Sequence, residues 1–150
     1  MSAQADVRLL DAAFAPGALI EAFAAQHPAS GGIASFVGQV RADNAVEALE
    51  LQHYAPLTLP AMQALAADAL GRWALGGLLV VHRSGVMLPG QPIVLVAAAA
   101  RHRRDAFAAA DYVMDNLKAN SWFWKREKRC GQWHWIEPRD QDHADLARWG

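Results

Sequence analysis

A nearly unbroken apolar run, Pro92–Ala100, limits the folds open to this chain more than any other stretch. The run is far shorter than the ~20 residues that a membrane-spanning helix needs. It follows Leu88-Pro89-Gly90, which is typical of a turn, and the segment after it has apolar residues at helical spacing. A short apolar run in this setting predicts a buried strand, so we expect a sheet in the core of a globular protein.

Predicted helices and strands interleave along the chain. Helical spacing and residues typical of helix starts predict the helices Pro16–Gln26, Thr58–Trp73 with Thr58 as its N-cap, His102–Ala119 and Asp140–Trp149. Apolar, β-branched or alternating stretches predict the strands Val7–Phe14, Ile33–Val40, Ala48–Tyr54, Leu78–His82, Pro92–Ala100, Trp122–Arg129 and Gln132–Glu137. Two hairpins are expected, one around Arg41 to Val46 and one around Cys130-Gly131.

Strands that pair through hairpins indicate an α+β fold with a mixed or antiparallel sheet and packed helices. The sequence has no GxGxxG and no GxxxxGK[ST] motif, which disfavours a doubly wound, nucleotide-binding fold. A chain of 150 residues has the length of one domain, and we expect residues 1–150 to form a single domain.

Composition excludes several classes of protein. Hydrophobic residues make up 53% of the chain and charged residues 19%, which excludes a disordered segment. The net charge of -1 lacks the basic excess of a duplex-binding protein. The single cysteine, Cys130, rules out an internal disulfide and a Cys/His zinc framework. Together with an N-terminus unlike a signal peptide, it predicts a cytoplasmic protein.

The lysines are unusually placed. The chain uses eleven arginines but only three lysines, Lys118, Lys125 and Lys128, all in one short window. Retained lysines suggest an amine that takes part in proton transfer or covalent catalysis, which a guanidinium does not replace. The alternative is that Lys118 interacts with a helix C-terminus and that the other two are solvated strand residues.

A second group of charges, Arg101-His102-Arg103-Arg104, lies at the predicted start of the third helix. Cations are disfavoured there, because the helix dipole is already positive at that end. Arginines next to free backbone N–H groups suit a phosphate or a carboxylate. An anion site is one interpretation, and a solvated rim neutralised by Asp105 and other acids is the other.

Aromatic residues crowd the last predicted hairpin, which contains Trp122, Phe123, Trp124, Trp133 and Trp135. They could stack nucleic-acid bases, but alternation in a hairpin favours a buried aromatic face and a polar opposite face. The histidines His53, His82 and His134 lack metal-ligand spacing, so we expect no metal and no cofactor, and hydrogen-bonded structural roles for most of them.

Several short motifs then occur in one order between about Gly32 and Glu137. They are Gly38-Gln39-Val40-Arg41, Leu51-Gln52-His53-Tyr54, Val81-His82-Arg83-Ser84-Gly85 with Pro89-Gly90, His102-Arg103 with Ala106-Phe107, and Leu117-Lys118 followed by Phe123-Trp124-Lys125-Arg126-Glu127. Together they resemble the large, catalytic subunit of molybdopterin synthase. Two positions depart from the family pattern, with Trp122 where proline is common and Gln39 where lysine is frequent, and the loop after Arg41 looks short.

The resemblance implies an α/β-hammerhead-like fold and a sulfur-transfer reaction. Such enzymes convert cyclic pyranopterin monophosphate to molybdopterin, and the sulfur arrives as a thiocarboxylate on the C-terminal glycine of a small ubiquitin-like subunit. The family assembles as a dimer of large subunits that binds two small ones, a heterotetramer. By motif match, the catalytic residues are Lys118 and Lys125, and the substrate-binding residues are Gln39, Val40, Arg41, His102, Arg103, Arg126 and Glu127.

Two rival functions are a non-catalytic module that binds a ubiquitin-like tail and a module that binds single-stranded nucleic acid. The resemblance favours the enzyme, with no nucleic-acid and no membrane partner. Cys130 lies outside every matched motif, so we expect that it carries no sulfur.

Overall fold

The computed structural model describes residues 3–43, 45–120, 122–137 and 140–150. In chain order the elements are β1 (Gln4–Leu10), α1 (Pro16–Gln26), β2 (Gly32–Gln39), β3 (Ala48–His53), α2 (Ala55–Arg72), β4 (Leu75–Arg83), β5 (Gly85–Met87), β6 (Pro92–Ala100), α3 (Arg103–Ala119), β7 (Phe123–Arg129), β8 (Gln132–Ile136) and α4 (Asp140–Ala147). The strands form two sheets of four, which confirms the predicted α+β class.

The first sheet has the strand order β1-β4-β6-β2, and only the β1–β4 pair is parallel. The predicted buried strand is confirmed as β6, whose residues Val94 to Ala100 are at most 2% exposed. Helices α2 and α3 pack on one face through residues such as Met62, Ala66 and Val113, and α1 covers the other face with Phe23. Small alanine side chains in β6 allow helices to approach on both faces.

The second sheet has the order β5-β3-β7-β8 and is antiparallel throughout. One face encloses a small core of Val40, Leu49, Leu51 and Met87, with Ile93 of β6 and Phe123 packed against it. Phe123 also packs against the core beneath α2 and α3. This ring therefore lies where the two sheets meet.

The expected hairpin around Arg41 to Val46 is wrong. β2 pairs with β6 in the first sheet, and β3 pairs with β5 and β7 in the second. Period-two alternation identifies a strand but does not identify its partner, and here the connection crosses between sheets.

Some predicted boundaries also need correction. The first strand is Gln4–Leu10 instead of Val7–Phe14. Helix α2 begins at Ala55 with Tyr54 as its N-cap, because Pro56 suits a first helical turn. Thr58 is fully buried within the helix and donates from its hydroxyl to the Tyr54 carbonyl at 3.0 Å.

The second hairpin is confirmed as β7–β8. Cys130 and Gly131 connect the strands with φ of 50° and 74°, the left-handed conformation that a tight two-residue turn requires. The C-terminal helix is also confirmed, and an aromatic cluster of Trp73, Tyr112 and Trp149 fixes it, with ring centroids 5.2 to 5.7 Å apart. Among the described residues, no helix combines the length and apolar character needed to cross a membrane.

Candidate functional site

Helix α3 carries one predicted functional group at each end. Arg103 is its first residue and Lys118 is its last but one. At 1.5 Å per residue, the backbones of these two residues are ~22 Å apart. The helix is held rigidly, because Ala106, Ala110, Val113 and Leu117 recur at helical spacing and are buried. The two groups therefore cannot converge within one chain.

The first group forms a pocket at the start of α3. Gly31 and the exposed residues Arg101, His102, Arg103 and Arg104 line a cavity of about 330 Å³. His102 is the N-cap but makes no side-chain capping bond, so the first N–H groups of the helix have no capping side chain. Arginines beside uncapped N–H groups give the pocket the chemistry of an anion site.

Gly31 makes this pocket possible. A Cβ atom at residue 31 would lie 2.2 Å from the carbonyl oxygen of Arg101, which is backbone and cannot swing aside. Only glycine allows the chain before β2 to pass so close to the start of α3.

The second group lies at the other end of α3, where the second sheet begins. Lys118 is exposed and Lys125 is half-buried on β7. Phe123 lies between these two lysines in sequence. Its ring stacks on that of His82, with the centroids 3.9 Å apart and an angle of 14° between the ring planes. His53 meets the same ring edge-on at 5.8 Å.

His82 is an uncharged ring close to the positive charge of Lys118. The pKa of His82 is lowered from 6.5 to about 4. Burial is the largest cause and the charges of Lys118 and His53 add to it, while the hydrogen bond to the Arg83 backbone acts in the opposite direction. Its Nδ1 lies 3.0 Å from the Arg83 carbonyl oxygen. A carbonyl only accepts, so Nδ1 carries the hydrogen and, in the neutral ring, Nε2 carries the lone pair.

The expectation that the three histidines are hydrogen-bonded structural residues is confirmed only for His82. The buried Nδ1 of His53 has no hydrogen-bond partner among the described residues, and His134 is exposed. The stacking of His82 on Phe123 was not predicted, because it joins residues of two different sheets that are far apart in sequence.

Alternation along β7 separates the predicted pocket residues. Phe123, Lys125 and Glu127 pair with His53, Leu51 and Leu49, so they share the inner face of the second sheet. Glu127 accepts hydrogen bonds from Arg129 at 2.7 and 3.0 Å. Arg126 points to the opposite face, and the structure therefore does not bring it together with Lys125.

Arg126 has its own partners on the outer face. Its Nε donates to Glu50 at 2.6 Å, and this bond holds the pKa of the Glu50 carboxyl below its ordinary value. The guanidinium lies 4.5 Å from the ring centroid of Trp133 and 5.4 Å from that of Trp135.

The prediction of a buried aromatic face holds for Trp122 and Phe123, which pack against the core, and is wrong for Trp124 and Trp135. Trp124 is 51% exposed and Trp135 is 60% exposed, on the same outer face as Arg126. The inner face is occupied by the small core around Leu49 and Leu51, so the alternation was recognised but its buried side was not.

The motif Gln39-Val40-Arg41 ends β2 near this inner core. Val40 is 3% exposed, its N–H donates to the Gln91 carbonyl at 2.9 Å, and its carbonyl accepts from Gly90 at 2.7 Å. Val40 therefore has no free polar group and fixes its neighbours Gln39 and Arg41, both of which are exposed.

The fold places the chain in a class of cofactor-biosynthesis proteins. Its structure is similar to that of the molybdopterin biosynthesis MoaE protein from Burkholderia ambifaria, with a TM-score of 0.82 and 42% identity over 97% of both chains. A more distant likeness is to a complex of subunits 1 and 2 of molybdopterin-converting factor from Helicobacter pylori. The identity is 21% and the TM-score 0.76, over 89% of this chain and 91% of the other, which shows the shared fold.

Sequence comparison defines the family. The chain is 46% identical over 144 residues to the molybdopterin synthase catalytic subunit of Caulobacter vibrioides, covering 95% of this chain and 96% of that protein. The sequence model of the MoaE protein family matches residues 9–120. The chain belongs to the MoaE protein family, which confirms the resemblance found in its motifs.

Proposed function

We propose that this protein is the catalytic subunit of a molybdopterin synthase. It converts cyclic pyranopterin monophosphate to molybdopterin with sulfur from the C-terminal thiocarboxylate of a small ubiquitin-like subunit. The identity of 46% to a catalytic subunit over nearly the whole chain carries the proposal. The lysine pair and the cationic pocket at the start of α3 supply the amines and the anion site that the reaction needs.

We infer that a complete active site is shared between two copies of the chain. The substrate is a small molecule, and its phosphate site at Arg103 is ~22 Å from Lys118 along the same helix. A homodimer in which the α3 start of one copy faces the lysines of the other brings both groups to one substrate. Two small subunits bound to this dimer give a heterotetramer.

The proposed roles follow from the charges. His102 and Arg103 bind the substrate phosphate, and Gln39, Arg41 and Glu127 line the pocket near the lysines. Val40 and Arg126 act indirectly, since Val40 is buried and Arg126 joins β7 to Glu50 of β3. One ammonium group stabilises the oxyanion that forms as sulfur leaves the thiocarboxylate, and the second amine moves protons at the pterin side chain.

We also propose that the reaction takes place in the cytoplasm and needs no metal or cofactor from this chain. Cys130 is exposed in the turn between β7 and β8, five residues after Lys125. A reducing compartment keeps such a thiol reduced. We therefore expect Cys130→Ser to retain full activity, because the partner supplies the sulfur.

The test is a reconstituted reaction. Purified protein, cyclic pyranopterin monophosphate and a thiocarboxylated small subunit are mixed, and molybdopterin is measured after oxidation to its fluorescent derivative. The control uses the same small subunit with an ordinary C-terminal carboxylate. We expect product only with the thiocarboxylate. No product in either reaction, or oligonucleotide binding with a steep salt dependence in place of turnover, would contradict the proposal.

A further inference from the structure

His82 lies under the lysine end of α3 but has no part in the proposed chemistry. It is the penultimate residue of β4 and is 7% exposed. Its ring covers that of Phe123 in a nearly parallel stack, with centroids 3.9 Å apart. A buried, polar ring at the junction of two sheets costs desolvation energy, so a plain apolar residue would be the cheaper core choice.

The ring is held from behind by a series of contacts. Its Nδ1–H donates to the carbonyl of Arg83, which fixes the plane of the imidazole. Arg83 is itself 8% exposed and donates to the Gln91 side chain and to the Val86 carbonyl, both at 3.2 Å. His82 is therefore a rigid surface and not a mobile side chain.

Phe123, whose ring stacks on His82, is the first residue of β7, the strand that carries Lys125. Phe123 pairs with His53, and Lys125 follows two residues later opposite Leu51 on the same face. Moving the Phe123 ring would move the start of β7 and with it the Lys125 side chain. The positive charge of Lys118 also helps to lower the pKa of His82.

We propose that His82 is a positioning residue for Lys125: its stack on Phe123 fixes the start of β7, the strand that carries this lysine. Only the effect of this role on turnover rests on the proposed function. The positioning itself is a property of the folded chain and is measurable without substrate.

The first experiment observes the lysines directly. Reductive ¹³C-methylation labels the three lysines and the terminal amine, so the NMR spectrum has few signals. In His82→Gln we expect the signal of Lys125 to shift and the signal of Lys128, on the outer face of β7, to stay in place. His27→Ala is the matched control, because His27 contacts the Phe23 ring at 4.6 Å on the far side of the first sheet. An unmoved Lys125 signal in His82→Gln would overturn the proposal.

The second experiment measures turnover in the reconstituted reaction. We expect His82→Gln to lower kcat about 10- to 100-fold at an unchanged KM for the pterin, since small misplacements of catalytic groups have effects of this size. His82→Phe keeps the stack and should retain more activity than His82→Gln. Phe123→Leu removes the other ring, and its defect should not add to that of His82→Gln in the double variant.

The outcomes separate the two proposals. Product formation by the unaltered protein with unchanged kcat in folded His82→Gln and in Phe123→Leu overturns the positioning role alone. No product from the unaltered protein overturns the proposed function, and the NMR experiment then still decides whether His82 positions Lys125. Should His82→Gln fail to fold, Phe123→Leu decides both measurements.

Discussion

Lys125 and Lys128 lie on opposite faces of β7, and this difference gives a direct test of catalysis. We expect Lys118→Ala and Lys125→Ala each to reduce kcat at least 100-fold, because a positioned acid or base contributes about 10²- to 10⁴-fold. Lys128→Ala, on the outer face of β7, should retain nearly full activity. Initial rates of molybdopterin formation measure the effect, and thermal unfolding checks the fold. Rates close to that of the unaltered protein in all three variants would exclude an amine mechanism.

His82 gives the protein a predictable dependence on pH. Its pKa is about 4 in the folded chain and near 6.5 when unfolded, so the unfolded state binds the proton first as the pH falls. The contribution of His82 to stability is present in full above pH 6.5 and is lost between pH 6.5 and 4, by up to about 3 kcal/mol. Urea unfolding at pH 7, 5.5 and 4.5 should show a smaller loss in His82→Phe than in the unaltered protein. An equal loss of unfolding free energy between pH 7 and pH 4.5 in the two proteins would refute this prediction.

At the residue scale, the sequence identified which side chains carry charge and chemistry but not which of them meet. The confinement of three lysines to one window and the cations before α3 both pointed to functional groups. Their separation by the length of α3, and the opposite directions of Lys125 and Arg126, depend on helix rise and strand register. The contact of His82 with Phe123 depends on how two sheets pack, which no local pattern encodes.

Among the elements, the chain before β2 and the start of α3 form the anion pocket only because residue 31 is glycine. We expect Gly31→Ala to raise the KM for cyclic pyranopterin monophosphate several-fold, since the new Cβ would force Arg101 and the helix start apart. The matched control is Gly17→Ala, where a Cβ meets nothing within 4 Å. Steady-state kinetics distinguishes the two. An unchanged KM in Gly31→Ala would show that the pocket does not bind the substrate.

Helix α4 is anchored by Trp149, which packs among Trp73 and Tyr112. The Trp149 Nε1–H also donates to Asp115 at 2.6 Å. We expect Trp149→Ala to lower the free energy of unfolding by about 2 kcal/mol, less than for a fully buried tryptophan because the ring is half-exposed. Arg148→Ala removes ion pairs to Asp111 and Asp115, a hydrogen bond to the Asp145 carbonyl and a cation–π contact with the Trp149 ring. It should have a smaller effect, because the Arg148 side chain is exposed. Chemical denaturation measures both, and equal losses would argue against the aromatic anchor.

Element identity was largely predictable, and element pairing was not. Pro16–Gln26, Pro92–Ala100 and the β7–β8 hairpin follow from local periodicity and turn chemistry, and the structure has them where the sequence indicated. The β2–β3 hairpin failed because β2 pairs with β6 in the first sheet, whereas β3 pairs with β5 and β7 in the second. Pairing is decided by the packing of whole sheets, which is a non-local property.

For the whole molecule, a shared active site predicts complementation between inactive variants. We expect a mass of twice 16.3 kDa by light scattering. Arg103→Ala is expected to raise the KM more than it lowers kcat, so the assay uses the pterin well below that raised KM. There Arg103→Ala and Lys118→Ala should each be nearly inactive, but their mixed dimers contain one intact site. Random exchange of subunits should then restore about one quarter of the normal activity.

The control for complementation mixes Lys118→Ala with Lys125→Ala, whose defects lie at the same end of α3. Both lysines serve the same site, so every site in the mixed dimer lacks one of them and activity should stay low. A monomeric mass, or no recovery in the Arg103→Ala and Lys118→Ala mixture after verified exchange, would contradict a site built from two copies.

The alternation of β7 also restricts how the chain length can vary. Successive residues of β7 face opposite sides, with Lys125 on the inner face and Arg126 on the outer one. Insertion of one residue between α3 and β7 that shifts β7 by one position along β3 would place Trp124 opposite Leu51, where Lys125 belongs. Insertion of two residues would return Lys125 to the inner face, but two residues further along the strand. Loop engineering at this connection should therefore follow parity: odd changes in length exchange the two faces, and even changes preserve them.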